Sequence, residues 1–302
     1  MSARHHTAVR DRREPPMPTV PTVNGADRAA VATSVAATVA GQRPQRDDRF
    51  RAVDNDRESE FIRALAAEAA AHLEGKPAHR ILAWAAGVVP RFVATSSFGA
   101  ESVVLLHMLS RVASHIPVVF LDTGFHFAET LEYRRLLAEQ LRLTVLDLRP
   151  ELSVEQQAQR YGPQLYRRDP ESCCRMRKTI PLRTALSDFD GWATGVRRVQ
   201  TPQRAGTPTV EGRRLGDRWL VKVAPLAAWT DDDVEAYIVR HDLPRHPLSA
   251  QGYRSIGCAP CTRVASPGEG PRSGRWSQFG KTECGIHLTE DGTAVRQTTT
   301  PG

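Results

Sequence analysis

From about residue 60 onward, short apolar runs alternate with amphipathic stretches. The apolar runs are rich in β-branched and aromatic residues, and they predict strands at Arg91–Ser96, Pro117–Asp122, Leu143–Leu148, Trp192–Val196 and Trp219–Ala224. Apolar residues at helical spacing predict helices at Phe61–Leu73, Val103–Val112, Glu129–Leu141 and Thr230–His241. Because strands alternate with helices, we predict an α/β fold: an open, mostly parallel sheet with helices on both faces.

The two ends of the chain lack this pattern. Residues 1–58 contain one aromatic residue, Phe50, and are rich in Arg, Asp, Ala, Thr and Pro, so we predict a disordered extension. A folded domain is predicted over residues 59–265. After Pro247 the chain becomes rich in Gly, Ser and Pro, which predicts irregular backbone. We predict a flexible C-terminal tail over residues 266–302.

Composition narrows the class of protein. The 302 residues include 41 Lys+Arg against 34 Asp+Glu, and 40% are hydrophobic, which excludes a collagenous, coiled-coil or wholly disordered chain. The net charge of +7 indicates an anionic partner: a nucleic acid, a membrane surface or a phosphorylated small molecule. No apolar run is long enough to span a membrane, and no segment makes a convincing secretory signal.

Polar turns follow two of the predicted strands. Ser96–Ser102 joins the first strand to a helix, and Leu121–Gly124 follows the second strand. An open α/β sheet binds ligands outside the carboxyl ends of its strands, where small residues and helix N-termini accept an anion. Neither turn is a Walker A loop, because no Gly-Lys-Ser/Thr follows. Because the two turns follow neighbouring strands, we expect them to line a shared pocket at the carboxyl edge of the sheet.

The five cysteines all lie after residue 172, and their odd number argues against a disulfide framework and for metal and thiol chemistry in a reducing cytoplasm. Two pairs, Cys173-Cys174 and Cys258-Ala259-Pro260-Cys261, suit a tetrahedral zinc, an iron–sulfur cluster or, for the second pair, a redox disulfide. The adjacent cysteines can share one metal only where the backbone is helical or turned. Cys284 stands apart between Lys281 and His287, and a nearby cation favours its nucleophilic thiolate.

Basic residues are concentrated around the first cysteine pair. Between Ser172 and Arg204 only two acids oppose seven cations, which are Arg175, Arg177, Lys178, Arg183, Arg197, Arg198 and Arg204. Arg272 and Arg275 add a second group shortly before Cys284. Aromatic residues on which bases could stack are scarce in these segments, so nucleic-acid binding is not favoured.

Together these elements resemble the assimilatory adenylyl-sulfate (APS) reductases, the iron–sulfur branch of the APS/PAPS reductase family, where PAPS is phosphoadenylyl sulfate. The resemblance covers residues 60–287. It rests on the two polar turns, the two cysteine pairs and two further motifs, Thr194-Gly195-Val196-Arg197-Arg198-Val199-Gln200 and Glu283-Cys284-Gly285-Ile286-His287.

The resemblance implies an adenine nucleotide α-hydrolase-like fold and an enzyme that reduces APS to sulfite and AMP in sulfate assimilation toward cysteine. It implies that Cys173, Cys174, Cys258 and Cys261 hold a [4Fe-4S] cluster and that Cys284 is the nucleophile. It implies that the adenosine is bound by Ser96, Leu121 and Gly195 and the phosphate by Arg204. The sulfate would be surrounded by Lys178, Arg272, Arg275 and His287. Lys178 and His287 would assist catalysis, and reduced thioredoxin would release sulfite from a Cys284 S-sulfocysteine.

Two positions depart from the family pattern. Ser102 stands where the family usually has Asp, and the stretch between Arg275 and Cys284 is short and lacks a second Trp after Trp276. Three other functions stay open at this point: a PAPS reductase, a zinc-stabilised ATP-dependent sulfurtransferase, and a basic zinc-ribbon nucleic-acid binder. We expect a cytoplasmic enzyme with neither a nucleic-acid nor a membrane partner.

Overall fold

The computed structural model describes residues 51–270, 272–279 and 283, with side chains from residue 59 onward. The predictions for residues 1–50 and for the end of the tail lie outside these ranges. Nine α-helices are found in the described part: α1 Arg51–Leu73, α2 Ala78–Val88, α3 Ser102–Val112, α4 Ala128–Gln140, α5 Val154–Tyr161, α6 Leu165–Arg168, α7 Pro170–Cys174, α8 Ile180–Leu186 and α9 Asp231–Arg240. The strands are β1 Phe92–Ser96, β2 Val118–Leu121, β3 Val145–Leu148, β4 Gly191–Thr194, β5 Val210–Leu215 and β6 Arg218–Val223.

These strands form one sheet in the order β3-β2-β1-β4-β6-β5. All neighbours are parallel except β5 and β6, which pair antiparallel at one edge. The chain runs outward from β1 through β2 to β3 and then returns to the other side of β1 with β4. The strand order therefore reverses between β1 and β4, and an open α/β sheet forms its ligand crevice at such a point.

Helices cover both faces of the sheet. Along β1, Phe92 and Ala94 pack into a large core with α1, α2, α3, α4 and α9, while Val93 faces a second core with Leu182 and Leu186 of α8. Residues that alternate between two buried faces leave a strand apolar throughout, and each large apolar side chain buried stabilises the fold by about 1.5–3 kcal/mol. The predicted fold class is confirmed. No helix of the described residues is both long and apolar enough to cross a membrane.

Most predicted elements are found within a few residues of their expected bounds. A capping box opens α9: Thr230 Oγ1 accepts from the backbone N–H of Asp233 at 3.1 Å, and the Asp233 carboxylate accepts from the N–H of Thr230 at 2.9 Å. Helices α2, α5, α6, α7 and α8 and strand β5 were not predicted, and α1 begins at Arg51, within the extension predicted to be disordered. Strand β5 is rich in charge, because it lies at the sheet edge and pairs with β6 alone.

Candidate active site

A cavity of about 250 Å³ opens at the carboxyl ends of β1 and β4, where the strand order reverses. The turn after β1, predicted to meet a ligand, forms one wall, and the turn after β4 forms the facing wall. The cavity is lined by all the described residues that were assigned above to the substrate, which are Ser96, Leu121, Lys178, Gly195, Arg204, Arg272 and Arg275; His287 lies outside the described residues. The structure thus brings together residues from the ends of the strands, from the helical segment that follows the first cysteine pair, and from the start of the C-terminal tail.

The turn after β1 is shaped by local hydrogen bonds. Ser96 Oγ accepts from the backbone N–H of Phe98 at 3.1 Å, and Phe98 adopts a left-handed φ of 48° with its ring fully buried. A left-handed non-glycine residue costs energy unless the surroundings fix it, and here the buried ring does so. The following small residues, Gly99 and Ala100, leave room at the cavity wall.

A buried histidine supports the neighbouring turn. His126 follows β2 and lines the cavity, and its Nε2–H donates to the carbonyl of Leu121 at 2.7 Å. Its Nδ1 is buried without a hydrogen-bond partner among the described residues. Burial lowers the pKa of His126, and the charges of Lys178 and Arg275 act in the same direction. The ring is therefore neutral near pH 7, with Nδ1 as an acceptor.

The far wall depends on a buried arginine. Arg197 is 1% exposed, and its guanidinium donates to the carboxylates of Glu101 at 2.5 Å and Asp231 at 2.8 Å. Burial opposes the charge, but these two partners outweigh it and raise the pKa of Arg197. Because Glu101 and Asp231 neutralise its charge, Arg197 shapes the cavity wall, although it belongs to the basic segment.

Three cations surround the ring of Trp276 at the cavity floor. Lys178 Nζ lies 5.7 Å from the ring centroid, and the guanidinium carbons of Arg272 and Arg275 lie at 5.8 and 4.4 Å. Trp276 is 1% exposed with a left-handed φ of 52°. Desolvated cation–π contacts of this kind contribute up to about 2 kcal/mol each. The tryptophan therefore gathers positive charge where a small anion would enter.

The backbone is shaped to receive Arg275. Its Nη1 donates to the carbonyl of Ile256 at 3.1 Å. A Cβ on Gly257 would lie 2.1 Å from Nη2 of Arg275, closer than atoms can approach, so only glycine leaves room for the guanidinium in this position. Nε of Arg275 and Nε1 of Trp276 are buried and lack a hydrogen-bond partner in the described part of the chain. Buried donors of this kind require a partner, which a bound anion would supply.

All four paired cysteines are buried and free, and they line a single small void beside the cavity. Cys173 and Cys174 end α7, and the chain continues as a π-helix at Arg175–Thr179. The backbone at the adjacent cysteines is therefore helical, as their joint use as ligands requires. Cys258 and Cys261 flank a 3-10 turn at Ala259–Cys261. Lys178 lines both the void and the larger cavity, so it connects them.

Two polar side chains contact the buried thiols. Thr123, whose turn follows β2, lies with Oγ1 3.3 Å from Sγ of Cys258, and Gln157 Nε2 lies 4.0 Å from Sγ of Cys173. Burial raises the pKa of Cys173, and it raises the pKa of Cys261 to about 11; Cys258 acts in the same direction on both. Without a bound cation Cys173 and Cys261 are therefore protonated at pH 7, and a metal that binds to them must displace these protons.

The donor set is compatible with a cluster. In the part of the chain that the structure describes, no group of three or more His, Cys, Asp or Glu side chains is arranged to hold one metal ion. An iron–sulfur cluster has a volume of its own, and each of its irons takes a separate thiolate, so its ligands surround a void instead of converging on a point. Soft thiolates around a void lined by Phe125 and Tyr166 fit that requirement.

Several residues that contribute to the site were given no individual role by the sequence: Thr123, His126, Gln157, Arg177, Gln200 and Arg254. Thr123 lies within a motif that had been noted, but its contact with a cysteine 135 residues away has no local signal. The predicted nucleophile Cys284 and the predicted His287 lie outside the described residues. Glu283, which precedes Cys284, is described and contacts Arg204.

The site is thus an anion-binding cavity at the strand switch of an α/β sheet, flanked by a buried four-cysteine void. A cationic cavity at this position of the sheet is typical of an enzyme that binds a nucleotide. Residues 91–264 match the phosphoadenosine phosphosulfate reductase domain. The chain belongs to the APS/PAPS reductase family of oxidoreductases, as the sequence motifs predicted.

Individual relatives support this membership. A Streptomyces coelicolor protein named adenosine 5'-phosphosulfate reductase is 43% identical over 237 residues, which cover 78% of this chain and 99% of that protein. A Mycobacterium tuberculosis protein of the same name is 42% identical over 244 residues, covering 76% and 95%. The crystal structure of phosphoadenylyl-sulfate reductase from Candida auris, a phosphate complex, matches with a TM-score of 0.59 and 26% identity over 66% of this chain and 96% of that one.

Proposed function

We propose that this protein reduces APS to sulfite and AMP, with thioredoxin as electron donor, in sulfate assimilation toward cysteine. The observation that carries the proposal is the void lined by four buried cysteines that adjoins the cationic cavity through Lys178. The family is common to APS and PAPS reductases, and the cysteine pairs mark the APS branch in the resemblance described above. The relatives at 41–43% identity are named adenosine 5'-phosphosulfate reductases.

In the proposed mechanism the thiolate of Cys284 attacks the sulfur of APS. The bond between sulfur and the phosphate oxygen breaks, AMP leaves with the electron pair, and the sulfo group stays on Cys284 as S-sulfocysteine. One thiolate of reduced thioredoxin then attacks the Cys284 sulfur and expels sulfite. The second thioredoxin thiol resolves the mixed disulfide, so the dithiol supplies both electrons and Cys284 is regenerated.

The residues of the cavity have separate roles in this scheme. Lys178, Arg272 and Arg275 neutralise charge on the sulfo oxygens and on the leaving phosphate as the bond breaks. Arg204 binds the phosphate of the nucleotide, and His287 orients the sulfo group or assists the thiolate. Ser96, Leu121 and Gly195 form the adenosine end.

We further propose that Cys173, Cys174, Cys258 and Cys261 hold a [4Fe-4S] cluster. When bound, the cluster supplies local electrostatic stabilisation and organises the floor of the site. The void is enclosed by Phe125, Tyr166, Arg177 and Lys178, which exclude bulk water and place positive charge beside an anionic centre. Aerobically purified protein should be brown and contain iron and acid-labile sulfide. A colourless protein that contains zinc would favour a sulfurtransferase or a zinc-ribbon protein instead.

The decisive experiment is to trap the intermediate. The protein is incubated with APS without reductant, digested and analysed by mass spectrometry. The proposal expects a sulfo adduct on Cys284, absent in Cys284→Ser, and its release as sulfite on addition of reduced thioredoxin. An adduct on another cysteine, or none, would overturn the mechanism.

A PAPS reductase is the alternative within the family. Turnover of APS and PAPS, each with reduced thioredoxin, separates the two, because the proposal expects a clear preference for APS. A strong preference for PAPS would reassign the substrate while leaving the family unchanged.

A further inference from the structure

Glu283 occupies an anion-binding position against two arginines of the cavity wall, Arg204 and Arg272. Its carboxylate accepts from Arg204 Nε and Nη2, both at 2.8 Å, and from Thr201 Oγ1 at 3.0 Å, and it lies 3.5 Å from Nη2 of Arg272. Its side chain is 17% exposed. Donors from two distant segments of the chain thus converge on one carboxylate that lies next to Cys284 in the sequence.

The geometry is the one that a phosphate would use. A guanidinium that presents Nε–H and Nη2–H side by side binds carboxylates and phosphates in the same bidentate manner. The remaining Nη1 of Arg204 donates to Gln200 Oε1 at 2.6 Å, which fixes the direction of the fork. Arg204 and Arg272 both line the cavity. The N–H groups that would bind a phosphate of the ligand are therefore those that Glu283 engages.

We propose that Glu283 is an internal competitor for the ligand's anionic group. The inference rests on the proposed function, since it takes that group to be the phosphate of an adenine nucleotide. In the absence of ligand the carboxylate neutralises Arg204 and Arg272 and holds the start of the Cys284 segment at the cavity. A bound phosphate displaces it, because the same donors cannot serve two anions and the two negative charges repel each other. After the reaction, the return of Glu283 favours release of AMP.

Isothermal titration calorimetry with AMP, and separately with inorganic phosphate, tests the proposal on the intact protein. Glu283→Gln keeps the shape of the side chain but removes its charge, so both ligands should bind on the order of tenfold more tightly. Glu283→Asp retains the charge and should bind AMP within about twofold of the unchanged protein. The matched control is Glu235→Gln, because Glu235 also binds an arginine, Arg245, through two hydrogen bonds but lies on α9 away from the cavity.

Turnover supplies a second readout. The inhibition constant of AMP against APS should fall in Glu283→Gln by the same factor as the dissociation constant, while Glu235→Gln leaves both unchanged. Unchanged or weaker binding of AMP and phosphate by Glu283→Gln would overturn the proposal. A failure of the proposed function is distinguishable, because in that case the unchanged protein itself would not bind AMP.

Discussion

Arg177 offers the sharpest test of how the cysteine segment is joined to the sheet. It is 3% exposed, lies in the π-helix directly after the cysteine pair, and donates through Nε to the carbonyl of Thr123. Its Nη1 donates to Gln157 Oε1 at 2.9 Å and to the carbonyl of Leu152 at 3.3 Å. Through these hydrogen bonds one guanidinium links the turn after β2 and the loop before α5 to the helical segment that contains Cys173 and Cys174.

The cost of Arg177→Lys follows from these acceptors. A lysine carries a single ammonium group, which cannot reach acceptors on opposite sides, so at least one buried carbonyl and the Gln157 amide oxygen lose their donor. Each buried group left unsatisfied costs about 1–3 kcal/mol. The lysine still buries a positive charge, and an ammonium is more strongly hydrated than a guanidinium, so its burial recovers none of this loss. We expect the free energy of unfolding to fall by about 3 kcal/mol, a large share of the usual 5–15 kcal/mol.

Urea unfolding of the purified holoprotein, followed by circular dichroism, measures this change, with iron content determined on the same samples. Arg135→Lys is the matched control, because Arg135 pairs with Glu132 and Glu139 on the exposed face of α4. That control should change the free energy of unfolding by less than about 0.5 kcal/mol. A loss below about 1 kcal/mol in Arg177→Lys, with iron retained, would refute the bridging role assigned to its hydrogen bonds.

Two further predictions concern stability. Burial lowers the pKa of His246 to about 4, so the folded state keeps this residue neutral, while the unfolded chain protonates it near pH 6.5. Lowering the pH from 6.5 to 5 should therefore cost about 1.5 kcal/mol of unfolding free energy through this residue. His246→Gln should show a correspondingly weaker dependence of urea unfolding on pH, and an unchanged dependence would contradict the assignment. Burial opposes the charge of Asp190, but Arg91 and Arg218 bind its carboxylate and its pKa is lowered. Asp190→Asn should therefore lower the free energy of unfolding by about 2 kcal/mol at pH 7. The difference between Asp190→Asn and the unchanged protein, measured by thermal unfolding, should shrink as the pH falls below about 4, and a constant difference would count against this ion cluster.

The sheet could be predicted because parallel strands buried on both faces are apolar along their whole length. The runs at β1 and β2 stand out for that reason, and the polar turns after them mark the carboxyl edge. Strand β5 could not be predicted in the same way. It carries Glu211 and Arg213, and its extended backbone is stabilised by pairing with β6, not by an apolar pattern of its own.

The cysteine centre was predictable in part. Two close pairs indicate shared ligands, but the pairs are separated by 83 residues, and no local pattern shows that they line one void. The π-helix after Cys174 is likewise invisible in the sequence, because it differs from an α-helix only in the partner that each N–H group finds. Cys174, Cys258 and Cys261 come together through tertiary packing, in one buried cluster with Trp276.

The charge pattern shows most clearly where sequence reasoning ends. The segment Ser172–Arg204 carries a run of cations that the sequence presents as one group, yet the structure divides it. Arg197 is neutralised by Glu101, 96 residues earlier, and Arg198 pairs with Glu74, 124 residues earlier. Arg197, Lys178 and Arg204 all line the cavity, but Arg197 is paired with acids of the folded domain and Arg204 with Glu283 of the tail. Charge density along the chain therefore indicates that an anion site exists. Which cations form that site depends on which of them the fold pairs with distant acids, and the packing of the sheet decides this pairing.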